Sequence, residues 1–333
     1  MKKGIIFLLF IMLFLITGCG KYGADDAIKD LERRINKDSY KLTGILEITS
    51  NDDTFQYDVN VAYKKDNNYR VSLINKSNNH EQIILKNKDG VYIITPSLNK
   101  SFKFQSDWPN NNSQVYLLHS ILNDIKKDSK RIFTDKEGKY TFVANANYPN
   151  NPQLVKQRIT FDRDLKIKTL EVLNQNDIVQ MIMKFDDIEY NTVFKDNYFD
   201  LNSIIDEIEV DEEKGETQTS KIDDVIYPLY IPTGTVLTDK EKISTTSGER
   251  IILTFDGEKP FLLVEETSTI SDDFDVIPTF GEPYFLVDTI GALSDKSISW
   301  SSNGIDYYIV SEVLSQQELI EVASSISTIP TIK

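Results

Sequence analysis

The chain has 333 residues, of which 40% are apolar and 11% aromatic, a composition typical of folded proteins and not of disordered ones. Its formal net charge of −15 at pH 7 repels nucleic acid and anionic lipid headgroups, so we exclude a nucleic-acid-binding protein. The length is sufficient for two cores of ordinary size, and we expect two domains.

The first 18 residues have the pattern of an export signal that ends at the single cysteine. Two lysines, Lys2 and Lys3, precede an apolar run from Ile5 to Ile16, and small residues lead to Cys19. A run of about 12 residues is too short for a transmembrane helix, which disfavours an uncleaved anchor. An ordinary secretory signal with an incidental cysteine is also disfavoured, because the only thiol stands where the lipobox of bacterial lipoproteins requires it.

We therefore predict a signal peptide over 1–18 and a diacylglyceryl thioether, with an acyl chain such as palmitate, on Cys19. Without Lys2 and Lys3, 35 basic residues remain against 52 acidic ones, a net charge of −17. Attachment to the outer face of the cell membrane then depends on the lipid and not on electrostatics. Residues 19–24 form the lipidated tether, which spans at most ~18 Å. No cysteine follows Cys19, so the folded part is expected to be stable without disulfides.

Residues 25–205 are predicted to form an α+β domain built on a curved, half-open antiparallel β-barrel covered by helices. A helix starts at Asp25 or Asp26 and ends near Asn36, and strands of alternating polarity, such as Phe55 to Tyr63, follow from about 40 to 190. Apolar residues at helical spacing predict a helix over 114–127, which interrupts the strands and packs across the concave side.

Residues 206–224 contain nine acidic residues and two lysines and are predicted to be an acidic linker. A smaller α+β domain over 225–330 follows. It is expected to contain paired strands, a hairpin turning at Asn303-Gly304, and a last helix whose capping box joins Ser315 to Glu318.

No catalytic or metal-binding pattern is found. The two histidines, His80 and His119, have no metal or nucleophile partner by spacing, and we expect His119 to be a packing residue. The acidic run Asp272 to Asp275 lacks the ligand spacing of a calcium loop and is interpreted as a solvated turn. Phosphate-binding glycine motifs and the nucleophile elbow are absent from the sequence. We predict a binding or interaction protein without a cofactor or metal, not an enzyme.

The apolar faces of the strands have two interpretations that periodicity does not separate. They are either an ordinary filled core or the wall of a cavity for an apolar ligand. The candidate cavity residues are Tyr57, Val59, Val61, Val71, Met181, Met183 and Phe185.

Three stretches resemble a known family. Residues 90–118 and 156–162 are similar to the LolA-type lipoprotein-sorting proteins of Gram-positive spore formers, and the segments around Gly281 to Ala292 and Trp300 resemble a small domain found behind such sheets. The resemblance is to the LolA/RseB-like superfamily and, within it, to sporulation and germination lipoproteins. It implies the half-open barrel, whose cavity holds acyl chains of lipoproteins in the carriers of the family.

A carrier must diffuse between membranes, and a chain fixed by Cys19 on a short tether does not. We therefore expect a membrane-anchored, non-enzymatic envelope lipoprotein that acts through a protein partner in sporulation or germination. The resemblance implies a cortex-modifying amidase as that partner. Two alternatives stay open: a binder of lipid or of lipoprotein acyl chains in the barrel cavity, and an RseB-like envelope sensor whose domains reorient about the linker.

Overall fold

The computed structural model describes residues 22–50, 53–212, 222, 224–245, 248–269, 274–286 and 288–327. The predicted signal peptide, Cys19 and the other tether residues before Tyr22 lie outside the described residues. Most of the predicted linker beyond residue 212 also lies outside them, as do Asp272 and Asp273 of the acidic run.

The described residues form four α-helices, one short 3₁₀-helix over Pro96–Leu98 and nineteen strands. The helices are α1 (Ala24–Ile35), α2 (Leu118–Lys127), α3 (Leu201–Glu212) and α4 (Gln316–Ser327). The strands are β1 (Ser39–Ser50), β2 (Asp53–Lys64), β3 (Asn68–Asn75), β4 (Glu81–Asn87), β5 (Gly90–Thr95), β6 (Lys100–Phe104), β7 (Ile132–Lys136), β8 (Lys139–Asn145), β9 (Leu154–Asp162), β10 (Ile167–Asn174), β11 (Val179–Tyr190), β12 (Thr235–Thr245), β13 (Gly248–Gly257), β14 (Phe261–Thr267), β15 (Asp275–Thr279), β16 (Glu282–Phe285), β17 (Ile290–Leu293), β18 (Ser297–Ser302) and β19 (Ile305–Val310). Of the helices just given, none has the length and apolar character needed to cross a membrane.

The strands form two sheets, and the fold is mostly β with few helices. The first sheet has twelve strands in the order β15-β6-β5-β4-β3-β2-β1-β11-β10-β9-β8-β7. The second has seven in the order β12-β13-β14-β19-β18-β17-β16. The first and last strands of each sheet do not pair with each other, so neither sheet closes into a barrel. Neighbouring strands pair antiparallel as the alternation predicts, except that β15 pairs parallel to β6.

One face of the first sheet carries the main core. Residues of β2 alternate between buried and exposed positions, with Val59 and Val61 at 1% and 2% exposure. These side chains form one cluster with the apolar residues of α1 and α2, including Leu31 and Ile121. The helix prediction at 25–36 is thus confirmed with a shift of one residue. Asp26 lies in its first turn, where its carboxylate accepts a hydrogen bond from the backbone N–H of Gly23 at 3.1 Å.

Helix α3 covers the opposite face of the same sheet, which corrects two sequence predictions. Ile204 and Ile208 pack against Leu85 and Ile94, so helices lie on both faces and not on one concave side alone. The start of the acidic linker at residue 206 is wrong, because residues 206–212 are the last turns of α3. Asp206 and Glu207 are exposed while Ile204 and Ile208 of the same helix are buried, a pattern that composition alone does not reveal.

The second sheet buries one face under α4. Leu319, Val322 and Ala323 of this helix are fully buried against the sheet. The predicted hairpin is confirmed: Asn303 and Gly304 both have positive φ, at 50° and 75°, as the turn between β18 and β19 requires. The predicted capping box is also present. The hydroxyl of Ser315 accepts from the N–H of Glu318 at 3.3 Å, while the Glu318 carboxylate accepts from the N–H of Ser315 at 3.1 Å.

A strand pairing and a hydrogen bond join the two halves of the molecule. Strand β15 comes from the C-terminal half of the chain yet extends the first sheet, with Asp275 to Thr279 opposite Lys100 to Phe104. Gln82 of β4 accepts a hydrogen bond from the backbone N–H of Ile290 at 2.6 Å. Because β15 belongs to residues 225–330 in sequence and to the first sheet in space, the predicted domain boundary does not separate the two sheets cleanly.

Candidate functional site

Six of the seven candidate cavity residues lie in the core of the first sheet. Tyr57, Val59, Val61, Val71, Met183 and Phe185 are 0 to 7% exposed, and all belong to the cluster that includes α1 and α2. The structure therefore brings these six residues together as packing side chains on one face.

Met181 differs from the other six. It is partly buried and borders an apolar cleft of about 90 Å³ on the same face of the sheet. This volume is smaller than the ~300–1,000 Å³ typical of ligand pockets. The principal apolar residues that line the cleft are Leu46, Ile48, Ile84, Trp108, Met181, Phe285 and Ile290.

Part of this cleft is formed by residues from the C-terminal half of the chain, which were not predicted from the sequence. Phe285 of β16 contacts Tyr57 edge to face, with ring centroids 5.2 Å apart. Ile290 of β17 belongs to the same core cluster as the first sheet. Local periodicity marks Ile290 as apolar but carries no information about which sheet it contacts, so no sequence signal could have assigned it here.

A second cleft, of about 250 Å³, lies between the two sheets. Its charged groups are neutralised within the protein. The ammonium group of Lys100, whose side chain is 8% exposed, lies 3.2 Å from a carboxylate oxygen of Asp306. The hydroxyls of Ser268 and Ser301 donate to the other oxygen of that carboxylate, at 2.6 and 2.5 Å. This arrangement pairs the nearly buried ammonium group of Lys100 with the partly exposed, hydrogen-bonded carboxylate of Asp306, and so ties β6 to β19.

The two histidines are buried enough to disfavour the charged ring. His119 of α2 packs on Tyr63 with ring centroids 4.3 Å apart, and burial lowers its pKa to about 4, so the ring is neutral near pH 7. Burial also lowers the pKa of His80, whose Nδ1 lies 3.3 Å from the hydroxyl of Ser97. The packing role predicted for His119 agrees with this geometry. Within the described ranges, no group of three or more His, Cys, Asp and Glu residues is arranged to hold a metal ion.

Glu265 is the buried carboxyl group of the second sheet. It is 0% exposed on β14, and its carboxylate accepts from the backbone N–H of Ile226 at 3.1 and 3.2 Å. Burial raises its pKa to about 7, an effect only partly offset by that hydrogen bond. The segment before β12 is therefore held to β14 by a group whose charge changes near neutral pH.

Comparison with known proteins gives a full-length match. The chain is 37% identical over 330 residues to the sporulation protein YdcC of Bacillus subtilis (strain 168), and the match covers 97% of each chain. No family model matches the sequence.

Two solved structures are more distantly similar. The complex of MucA and MucB from Pseudomonas aeruginosa aligns at 14% identity and a TM-score of 0.32, covering 90% of this chain and 97% of that one. The complex of the CwlD amidase with the GerS lipoprotein from Clostridioides difficile aligns at 15% identity and a TM-score of 0.24, covering 53% of this chain and 100% of that one. Both TM-scores are low.

We expect the free energy of unfolding to fall by up to ~3 kcal/mol between about pH 4.5 and pH 7 because of Glu265. In this range the folded state holds the proton and the unfolded state does not, so stability decreases as the pH rises. Urea unfolding at pH 5 and pH 7.5 measures the difference. The variant Glu265→Gln removes the titrating group and should lose most of this slope; an unchanged slope would contradict the assignment.

Proposed function

The chain belongs to the YdcC family of sporulation proteins, and we propose on that premise that it is a non-enzymatic, membrane-anchored envelope lipoprotein that acts through a protein partner in sporulation or germination. The observation that carries the proposal is the full-length match, which includes both sheets and α4. The lipobox that ends at Cys19 supports the anchor and the proposal that the folded part lies on the outer face of the cell membrane.

The described start of the chain supports a position close to the membrane. The hydroxyl of Tyr22 donates to Asp30 at 3.0 Å, and its ring lies 5.2 Å from that of Tyr140. Tyr22 is thus fixed to the folded part three residues after Cys19, and three residues span at most ~11 Å. A protein held this closely meets its partner at the membrane surface. The partner class implied by the sequence resemblance is a cortex-modifying amidase.

A second candidate function is binding of lipid or lipoprotein acyl chains, on a sheet that we propose to be the half-open LolA-like barrel. The apolar cleft at Met181 favours it, because Trp108 and Phe285 give it aromatic walls. Its present volume of about 90 Å³ is too small for a whole acyl chain, so loading requires the cleft to widen.

The RseB-like sensor is less well supported. Reorientation of the two sheets would break the pairing of β15 with β6 and the ion pair of Lys100 with Asp306. Such a motion would expose the nearly buried ammonium group of Lys100 without its carboxylate partner, so it needs a ligand that binds the reoriented state more tightly.

We expect Cys19→Ser to move the protein from the membrane fraction to the soluble fraction of the envelope and to abolish labelling by radioactive palmitate. The thioether forms only at a thiol, and Cys19 is the only one in the chain. Fractionation of cells and autoradiography give the two readouts. Ser50→Ala, a change away from the lipobox, is the control and should leave both unchanged.

We expect chemical cross-linking of the tagged full-length chain in sporulating cells to capture an N-acetylmuramoyl amidase, identified by mass spectrometry. The Cys19→Ser chain, which is released from the membrane, should capture much less of it. A deletion strain with normal spore cortex and normal germination would refute a role through this partner.

Met181→Asp and Met183→Asp distinguish a ligand cleft from core. Met183 is 0% exposed, so an unpaired carboxylate there should unfold the protein. Met181 borders the cleft, so its carboxylate should leave the fold intact and remove bound acyl compounds. Circular dichroism and mass spectrometry of the purified full-length chain measure the two effects. If the wild-type chain, purified from its native membrane, carries no acyl compound other than the lipid attached covalently to Cys19, the lipid-binding function is rejected.

A further inference from the structure

A polar groove of about 390 Å³ lies beside α2, away from the apolar cleft. It is formed by the end of α1, the turn between β2 and β3, residues 109–112 and the outer side of α2. Its volume is within the ~300–1,000 Å³ of ligand pockets, unlike that of the cleft at Met181.

Amide side chains dominate the rim of the groove. Six asparagines line it: Asn36, Asn67, Asn110, Asn112, Asn123 and Asn147. Among the described residues, the side-chain amides of Asn36, Asn67, Asn110 and Asn123 have no hydrogen-bond partner. Each amide offers two donors and one acceptor to a ligand.

The floor of the groove is aromatic. Tyr63 and Tyr69 lie side by side, with ring centroids 5.0 Å apart, and His119 packs on Tyr63. The Nδ1 atom of His119 is buried and has no hydrogen-bond partner in the described part of the chain. The hydroxyls of the two tyrosines likewise make no hydrogen bond with described residues. Tyr63 and Tyr69 are only 8% and 4% exposed, and Tyr63 also stacks on Tyr40, so the floor presents only small parts of these rings to the groove.

The groove carries no net formal charge. Its charged residues are two carboxylates and two ammonium groups, Glu32, Asp124, Lys126 and Lys127. Lys126 forms an ion pair with Glu32. Asp124 accepts hydrogen bonds from Ser113 and Gln157, at 2.7 and 2.8 Å. Because His119 is neutral near pH 7, the groove selects neither an anion nor a cation.

We infer that this groove binds an uncharged oligosaccharide. Such a ligand presents many hydroxyl groups to the amide donors and acceptors of the rim. An acyl chain would leave the four free amides of the rim unpaired, and a charged glycan would find no net counter-charge. The site is separate from the proposed partner function and does not depend on it.

The test is titration of the purified full-length chain, in a detergent without a sugar headgroup, with three tetrasaccharides. These are chitotetraose, cellotetraose and a sulfated tetrasaccharide of similar length. Calorimetry measures binding, and Trp108 provides a second readout because its ring meets Tyr69 edge to face at 5.7 Å. We expect saturable binding of at least one neutral tetrasaccharide and none of the sulfated one. Tighter binding of chitotetraose than of cellotetraose would assign the ligand to the acetamido sugars.

Three variants locate the binding. The double variant Asn110→Ala, Asn123→Ala removes two free amides from exposed positions and should raise the dissociation constant by about tenfold. Tyr63→Phe with Tyr69→Phe keeps both rings and should weaken binding similarly. Asn176→Ala changes an equally exposed asparagine on the β10–β11 turn and should have no effect. Absence of saturable binding, equal binding of the sulfated tetrasaccharide, or binding unaffected by the Asn110 and Asn123 changes would overturn the inference.

Discussion

The parallel pairing of β15 with β6 is the contact on which the arrangement of the molecule depends. Five residues from the C-terminal half extend the edge of the first sheet, and the chain then passes directly into the second sheet through β16. This path carries Phe285 and Ile290 to the first sheet's core. Pro278 is compatible with the pairing because β15 is an edge strand, where a residue without an N–H group costs no ladder hydrogen bond on the solvent side. The two halves therefore share one packed unit.

A single loop separates the two concave regions of the first sheet. Trp108 faces the apolar cleft, while Pro109 and Asn110 line the polar groove, and Asn112 borders both. Apolar and polar surfaces thus lie within a few residues of one another on this loop. Tyr69, which lines the groove, contacts Trp108, which lines the cleft, with ring centroids 5.7 Å apart.

Much of the fold followed from the sequence because the signals were local. Alternation identified β2, the Asn303-Gly304 pair identified a hairpin, and the capping box identified the start of α4. The failures were non-local or compositional. Helix α3 was not predicted, because the acidic residues of its second half were interpreted as the start of a linker. The clefts were not predictable, because whether Val61 faces protein or space depends on helices far away in sequence. The groove depends on asparagines from five separate segments.

Strand β12 gives the second sheet an exposed edge, and its sequence limits what can pair there. Nearly all of its side chains are exposed, and Asp239, Lys240, Glu241 and Lys242 follow one another along it. If two copies paired antiparallel about a two-fold axis, the residue on the axis would lie opposite the same residue of the other copy. The residue before it would lie opposite the residue after it, so odd-numbered residues would face odd-numbered residues and even-numbered residues would face even-numbered ones. Asp239 and Glu241 have odd numbers, whereas Lys240 and Lys242 have even numbers. Any such register centred on these four residues therefore puts like charges opposite each other, which destabilises the pair. The charges on β12 thus disfavour pairing of two copies into a larger sheet. They do not disfavour pairing with a strand of another protein whose charged residues follow a different order.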